Sequence, residues 1–516
     1  MSESAHTPSM RRSSRRDALG GIASAVTLAA VTTPAIAAPA KPTRETGGEP
    51  DALGLAEMVR RRAVSPAELL EAAIARAEAL NPRLNFMAQK HYDYARAAIA
   101  RGLPEGPFTG VPWLLKDLNT YVAGLLTEQG SRYYKGNRAT VTSELVRRHE
   151  RAGLVVFGKT TVPEFGLSAT TESEATGSTH NPWNPDYTPG GSSGGSACAV
   201  SAGVIPAAHA TDGGGSIRVP ASCCGLFGLK PSRGRVPMGP PRSEGWGGMS
   251  THHAVTISVR DSAALLDATH GIEPGSRYSA PSPERPYLEE VRRDPGRLRI
   301  AFSAVSPTGA PVDPECAEAA RAAARLCESL GHHVEEVAPA LDYAALGRAV
   351  FTIISSSIAA DLNARTAMTG VKPSLDVLEP MTLAFYQMGL RVGGPDFAAA
   401  NNDLLAAAYK VAEFMQRYDV LLSPTLASPP VKLGVLSPSQ TDMAVYAKAL
   451  TTFGPFSALE NQTGQPSMSV PLAMSKSGLP IGVMFSARYG DEATLFRLAG
   501  QLEQATPWAG RRARVG

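Results

Sequence analysis

The chain has 516 residues, 43% hydrophobic and 19% charged, with 50 Lys and Arg against 47 Asp and Glu. The formal net charge of +3 is spread without a basic block, which gives no reason to expect a nucleic-acid surface. Five cysteines (Cys198, Cys223, Cys224, Cys316 and Cys327) are too few, and odd in number, for a disulfide scaffold, and no C-x-x-C pair suggests a zinc ribbon.

Residues 1–37 read as an export signal rather than as part of the fold. Ser14-Arg15-Arg16-Asp17-Ala18-Leu19 leads into an apolar run, which ends at Ala35-Ile36-Ala37. That is the order of a charged region, an apolar region and an A-x-A cleavage site. The paired arginines resemble a twin-arginine signal and predict a periplasmic or secreted protein. The apolar run is too short and glycine-rich for a good membrane span, so no stable span is expected after cleavage. Residues 38–50 read as a linker, and 51–516 as one domain.

Ser65-Pro66-Ala67-Glu68 is a capping box with proline in the first turn. It predicts a helix that buries Leu69, Leu70, Ala73, Ile74 and Ala77 on one face. Another helix is predicted over 92–101. Residues 110–117 (GVPWLLKD) predict a buried strand that delivers Lys116 to its edge. A helix over 143–152, a strand over 154–157, a loop-rich stretch to 189, a helix over 197–202 and a strand over 205–210 follow. Strands at 298–302 and 333–337 flank a helix at 313–330, an alternation that predicts parallel pairing. Residues 340–415 read as mainly helical. Strands at 419–422, 467–472 and 481–485 precede a closing helix at 492–505. The fold class predicted is α/β, a single large domain whose mixed, largely parallel central sheet is surrounded by helices.

Residues 189–218 carry two glycine-flanked serine clusters, around Ser192 and Ser216. A serine nucleophile needs a base, usually histidine. His209, the pair His252-His253 and the pair His332-His333 each read more naturally as structural. Gly190-Gly191-Ser192-Ser193-Gly194 matches G-x-S-x-G, but the loop-like residues before it do not supply the strand a nucleophile elbow requires. Lysine is the other source of a base. Lys116 in an apolar strand would lose hydration, and its pKa would fall; an ion pair with neighbouring Asp117 is the plainer alternative. Gly213-Gly214-Gly215-Ser216 can turn successive N–H groups toward one point, as an oxyanion hole needs, and Asp212 and Arg218 can tie that loop down.

Together GVPWLLKD, PGGSSGGSA and DGGGSIRVPASCCGLFGLKPSRGR resemble the amidase signature family. NPWN at 181–184 and SGLPIGV at 477–483 are most similar to its branch containing hydrolases of nylon-oligomer (aminohexanoate) cyclic dimers. The resemblance implies a Ser-Ser-Lys triad: Lys116 as base, Ser192 as bridge after a cis peptide bond, Ser216 as nucleophile. It implies oxyanion-hole amides at Gly213, Gly214, Gly215 and Ser216, supporting roles for Ser193, Asp212 and Arg218, and a pocket position at Gly166. Gly213 departs from the larger residue many members carry. No cofactor or metal is implied. The implied function is acyl-enzyme hydrolysis of small or oligomeric amides, with an alkaline-leaning pH profile. Carbamate, anilide or ester hydrolysis by the same route, and an amidotransferase subunit, are alternatives. Oligomeric state is open, a homodimer included. Phe351, Phe385, Tyr386, Phe453 and Phe456 are candidates for an apolar cleft.

Overall fold

The computed structural model describes residues 50–242 and 244–515; the export signal and all but the last linker residue lie outside them. In chain order the strands are β1 (Met87–Lys90), β2 (Pro112–Lys116), β3 (Val155–Thr160), β4 (Glu172–Ser173), β5 (Gly177–Ser178), β6 (Ala207–Asp212), β7 (Phe227–Lys230), β8 (Thr251–Thr256), β9 (Arg299–Phe302), β10 (His333–Glu336), β11 (Val420–Pro424), β12 (Ser467–Met474) and β13 (Pro480–Ala487). An eight-stranded sheet has the order β10-β9-β11-β13-β12-β7-β8-β6, and a smaller one has the order β1-β3-β2.

The α/β class and mixed sheet hold, but the expectation of largely parallel pairing does not. In the large sheet only β10-β9 and β9-β11 are parallel; the pairs from β11 through to β6 are antiparallel. Parallel pairing survives where the helix Pro314–Ser329 carries the chain from β9 to β10. β12 and β13 are instead joined by a tight turn closed by Ser475 N–H donating to Leu479 O at 2.7 Å, and so short a connection can only link antiparallel strands.

Strand alternation covers both faces of the sheet. Ile300 and Phe302 of β9, with Val420 and Leu422 of β11, enter one apolar cluster with the helices Pro314–Ser329 and Glu492–Ala505. Ala301 and Leu421, between them in sequence, enter another with the helices Tyr343–Thr369 and Gly394–Phe414. By length and composition Tyr343–Thr369 is apolar enough to cross a membrane, but here Leu346, Ile353, Ile358 and Leu362 are buried against the protein.

The helix Pro66–Leu84 begins as predicted: Ser65 Oγ accepts the Glu68 N–H at 3.2 Å, and Glu68 Oε2 accepts the Ser65 N–H at 2.8 Å. Its Leu70, Ala73, Ile74 and Ala77 pack with the helix Gly194–Ser201, whose eight residues are all buried. A Cβ on Gly194 would lie 2.2 Å from Thr171 Oγ1 and one on Gly195 2.5 Å from Thr161 Oγ1, so the start of this helix packs against those threonines only without side chains.

Candidate active site

Every residue of β2 is buried, and Lys116 is its last. The Lys116 N–H donates to His209 Nδ1 at 3.2 Å, which holds the end of β2 beside β6. Lys116 Nζ, buried with its strand, lies 2.7 Å from both Ser192 Oγ of the first serine cluster and Thr211 Oγ1 at the end of β6. Loss of hydration pushes its pKa well below the ordinary lysine value, while the negative charge of Asp212 pulls it partly back. Asp117 is not its partner. It pairs with buried Lys159 at 3.4 Å and accepts the N–H groups of Glu128 and Gln129, and burial, opposed by Lys159, leaves its carboxyl raised to about 6.

Ser192 follows a cis peptide bond from Gly191. A Cβ on Gly191 would lie 2.3 Å from Thr170 O, so only glycine fits there. Ser193 Oγ donates to Thr211 O at 3.1 Å and accepts the Thr211 N–H at 3.2 Å, pinning the first cluster to the end of β6. Gly166, with φ +73°, lies against this group; a Cβ there would come within 3.0 Å of Ser192 Oγ.

The Ser216 loop is wrapped around one carboxylate. Asp212 accepts the Gly215 N–H at 2.7 Å and the Ile217 N–H at 3.0 Å. Arg218, fully buried in the helix Arg218–Cys224, meets Asp212 at 3.0 Å, Glu460 at 2.9 Å and Asn461 at 2.6 Å. Burial alone would raise the Asp212 pKa, but Arg218 overrides it and holds the carboxyl well below the usual range. One sequence expectation needs correction here. The Gly215 N–H is committed to Asp212, whereas among the described residues those of Gly213, Gly214 and Ser216 have no protein acceptor. Asp212→Ala would leave Arg218 with only part of its counter-charge. It is expected to cost about 3–5 kcal/mol, read as a lower urea midpoint with unchanged slope.

Ser216 opens onto a cavity of about 280 Å³, bounded by Gly166, Gly191 and the Gly213–Gly215 backbone. Phe351 and Phe385 line it; Phe453 and Phe456 belong to the core instead, and Tyr386 turns away to Asn363. Trp246 lines this cavity and also a narrower recess, of about 40 Å³, that holds Ser192, Ser216 and the Arg242–Asp361 ion pair. Gly213 is explained by that ring: a Cβ would lie 2.7 Å from two Trp246 ring carbons, so the bare glycine makes room for the indole.

Among the described residues no histidine lines either space. His209 Nε2 lies 3.0 Å from His252 Nδ1, and His253 is bonded to Ser262 and His332 to Gln501. Burial drives His252 and His253 down to about 3, so both are neutral. All five cysteines are buried and free. Thr211 carries no sequence signal beyond its place before Asp212, and Glu460 and Asn461 carry none at all, since they meet Arg218 across 242 and 243 residues.

The amidase family profile matches residues 68–496. The chain belongs to the amidase family. This amidase is a hydrolase of carbon–nitrogen amide bonds. It is 39% identical over 474 residues to 6-aminohexanoate-cyclic-dimer hydrolase of Pseudomonas sp. (strain NK87), a match covering 90% of this chain and 96% of that one. A solved structure of 6-aminohexanoate cyclic dimer hydrolase superimposes with a TM-score of 0.84 at 38% identity, covering 90% of this amidase and 98% of that chain. A bacterial aryl acylamidase of the amidase signature family gives 0.82 at 27% identity, covering 91% and 99%.

Proposed function

We propose that this amidase cleaves small or oligomeric amides through an acyl-enzyme on Ser216, with Ser192 as proton bridge and Lys116 as base. The observation that carries this reading is Lys116 Nζ at 2.7 Å from Ser192 Oγ in a site where burial favours the neutral amine. Neutral Lys116 takes the Ser192 proton while Ser192 takes that of Ser216, and Ser216 Oγ adds to the carbonyl carbon. The free N–H groups of Gly213, Gly214 and Ser216 are suited to the resulting oxyanion. The proton returns through Ser192 to the leaving nitrogen, the C–N bond breaks and the amine departs. Water then adds to the ester with the same proton route in reverse, releasing the acid and restoring Ser216.

The match to a cyclic-dimer hydrolase supports cyclic as well as linear amides as substrates. The twin-arginine-like Ser14–Leu19 stretch supports export, so that substrate is met outside the cytoplasm. The test is a fluorophosphonate probe followed by peptide mass mapping, alongside turnover of matched amides, anilides, carbamates and esters. A single adduct on Ser216 with amides turned over is expected. An adduct elsewhere, or amide turnover undiminished in fully labelled enzyme, would sink the assignment.

A further inference from the structure

Among the described residues the cavity at Ser216 is lined by no Asp, Glu, Lys or Arg, and most of its polar side chains are already occupied. Ser168 is bonded to Leu436 O, Tyr446 to Leu167 O, Thr451 to Ala447 O, Ser457 to Gly214 O, Tyr343 to Pro339 O and Thr308 to Thr451 O. Gln462 differs. It lines the cavity at 6% exposure, and its Oε1 is buried with no hydrogen-bond partner among the described residues.

Its backbone is nevertheless tightly held. Gln462 lies in the short helix Leu459–Thr463, its N–H donates to Ala458 O, and its own carbonyl accepts Arg233 Nη2 at 2.8 Å. The two residues before it, Glu460 and Asn461, clamp Arg218. A buried, unpaired Oε1 on so rigid a support is expensive unless something else bonds it. It offers a donor and an acceptor side by side, which matches the carbonyl and N–H of another amide. An ionised partner does not fit, because nothing in the lining would neutralise it.

We infer that Gln462 selects substrates whose acyl half carries a second uncharged hydrogen-bonding group, above all a second amide. This rests on Ser216 being the nucleophile. The acyl side follows from the position of Ser192: the group returning a proton to the leaving nitrogen lines the narrow recess, so the amine departs there and the acyl chain occupies the larger cavity with Gln462.

The test uses two primary amides of equal chain length, one with an internal secondary amide in its acyl chain, assayed by ammonia release. Wild type is expected to favour the diamide by about tenfold or more in kcat/KM. Gln462→Met, similar in size but apolar, is expected to lower the diamide by about tenfold and leave the monoamide within about twofold. Fluorophosphonate labelling of Ser216 at the wild-type rate confirms that the variant site is intact. If Gln462→Met does not label, Gln462→Glu is used and should lose the preference. A wild-type preference below about threefold, equal losses on both substrates in a labelled variant, or turnover of neither amide by normally labelled wild type would overturn the inference. Failure of wild type to label on Ser216 would instead overturn the nucleophile assignment.

Discussion

Ser216→Ala is expected to lower kcat/KM on every amide the enzyme cleaves by about 10⁴–10⁶-fold while leaving the fold unchanged. The side chain is half-buried at the cavity and makes no hydrogen bond to the protein among the described residues, so its removal breaks no internal hydrogen bond. The chemical loss is large because no second nucleophile stands ready. Ser192 is held against Lys116, and among the described residues no histidine or cysteine lines the cavity. Residual turnover should come from the free loop amides and from binding alone. The check is steady-state kinetics on freshly purified variant together with an unchanged urea midpoint; a loss of less than about tenfold would show that the attack occurs elsewhere.

Lys116→Ala is expected to reduce kcat/KM by about 10³–10⁴-fold and to abolish the acid limb of its pH profile. The sign follows from which form works. The base must be neutral, so activity rises as pH climbs through the pKa of Lys116 and then levels off. Burial has moved that limb well below the ordinary lysine value of 10.5, so the plateau extends downward from the alkaline range that an exposed lysine would impose. A limb remaining near 10 would contradict a buried Lys116 base. Stability carries the same signature. Between the lowered folded value and the unfolded one the unfolded chain binds more protons, so stability increases with pH across that window. Lys116→Met should flatten the slope while also losing activity, a combination that a merely structural lysine would not produce.

The parts of this site that were legible in the sequence are those built from consecutive residues. The Ser65–Glu68 box, the apolar run ending at Lys116 and the glycine-framed serines each report on a local requirement: a cap, a buried strand, a backbone without Cβ. What could not be read is held by long-range contacts. Glu460 and Asn461 reach Arg218, Thr211 reaches Lys116, and Trp246 fills the space that Gly213 vacates, yet none shares a local pattern with its partner. β8 was missed for a related reason. Its Thr-His-His-Ala-Val-Thr sequence lacks the apolar alternation of a half-buried strand, because it is covered on all sides and its polar groups are satisfied internally. The Gly215 amide shows the limit of a motif: the pattern predicts four inward N–H groups, and only the position of the Asp212 carboxylate reveals that one is already taken.

The place of β12 and β13 bears on how the molecule comes into being. These strands, nearly the last to leave the ribosome, occupy the interior of the large sheet between β11 and β7. Until they arrive, β7 and β11 each expose an open edge, and the segment carrying Glu460 and Asn461 has only just been made. Between the synthesis of β11 and that of β13 the chain thus holds two unjoined halves with sticky borders, a state in which holding by a chaperone matters more than speed. A chain truncated before residue 467 lacks the hairpin that closes the sheet, and one truncated before residue 460 lacks the clamp on Arg218 as well.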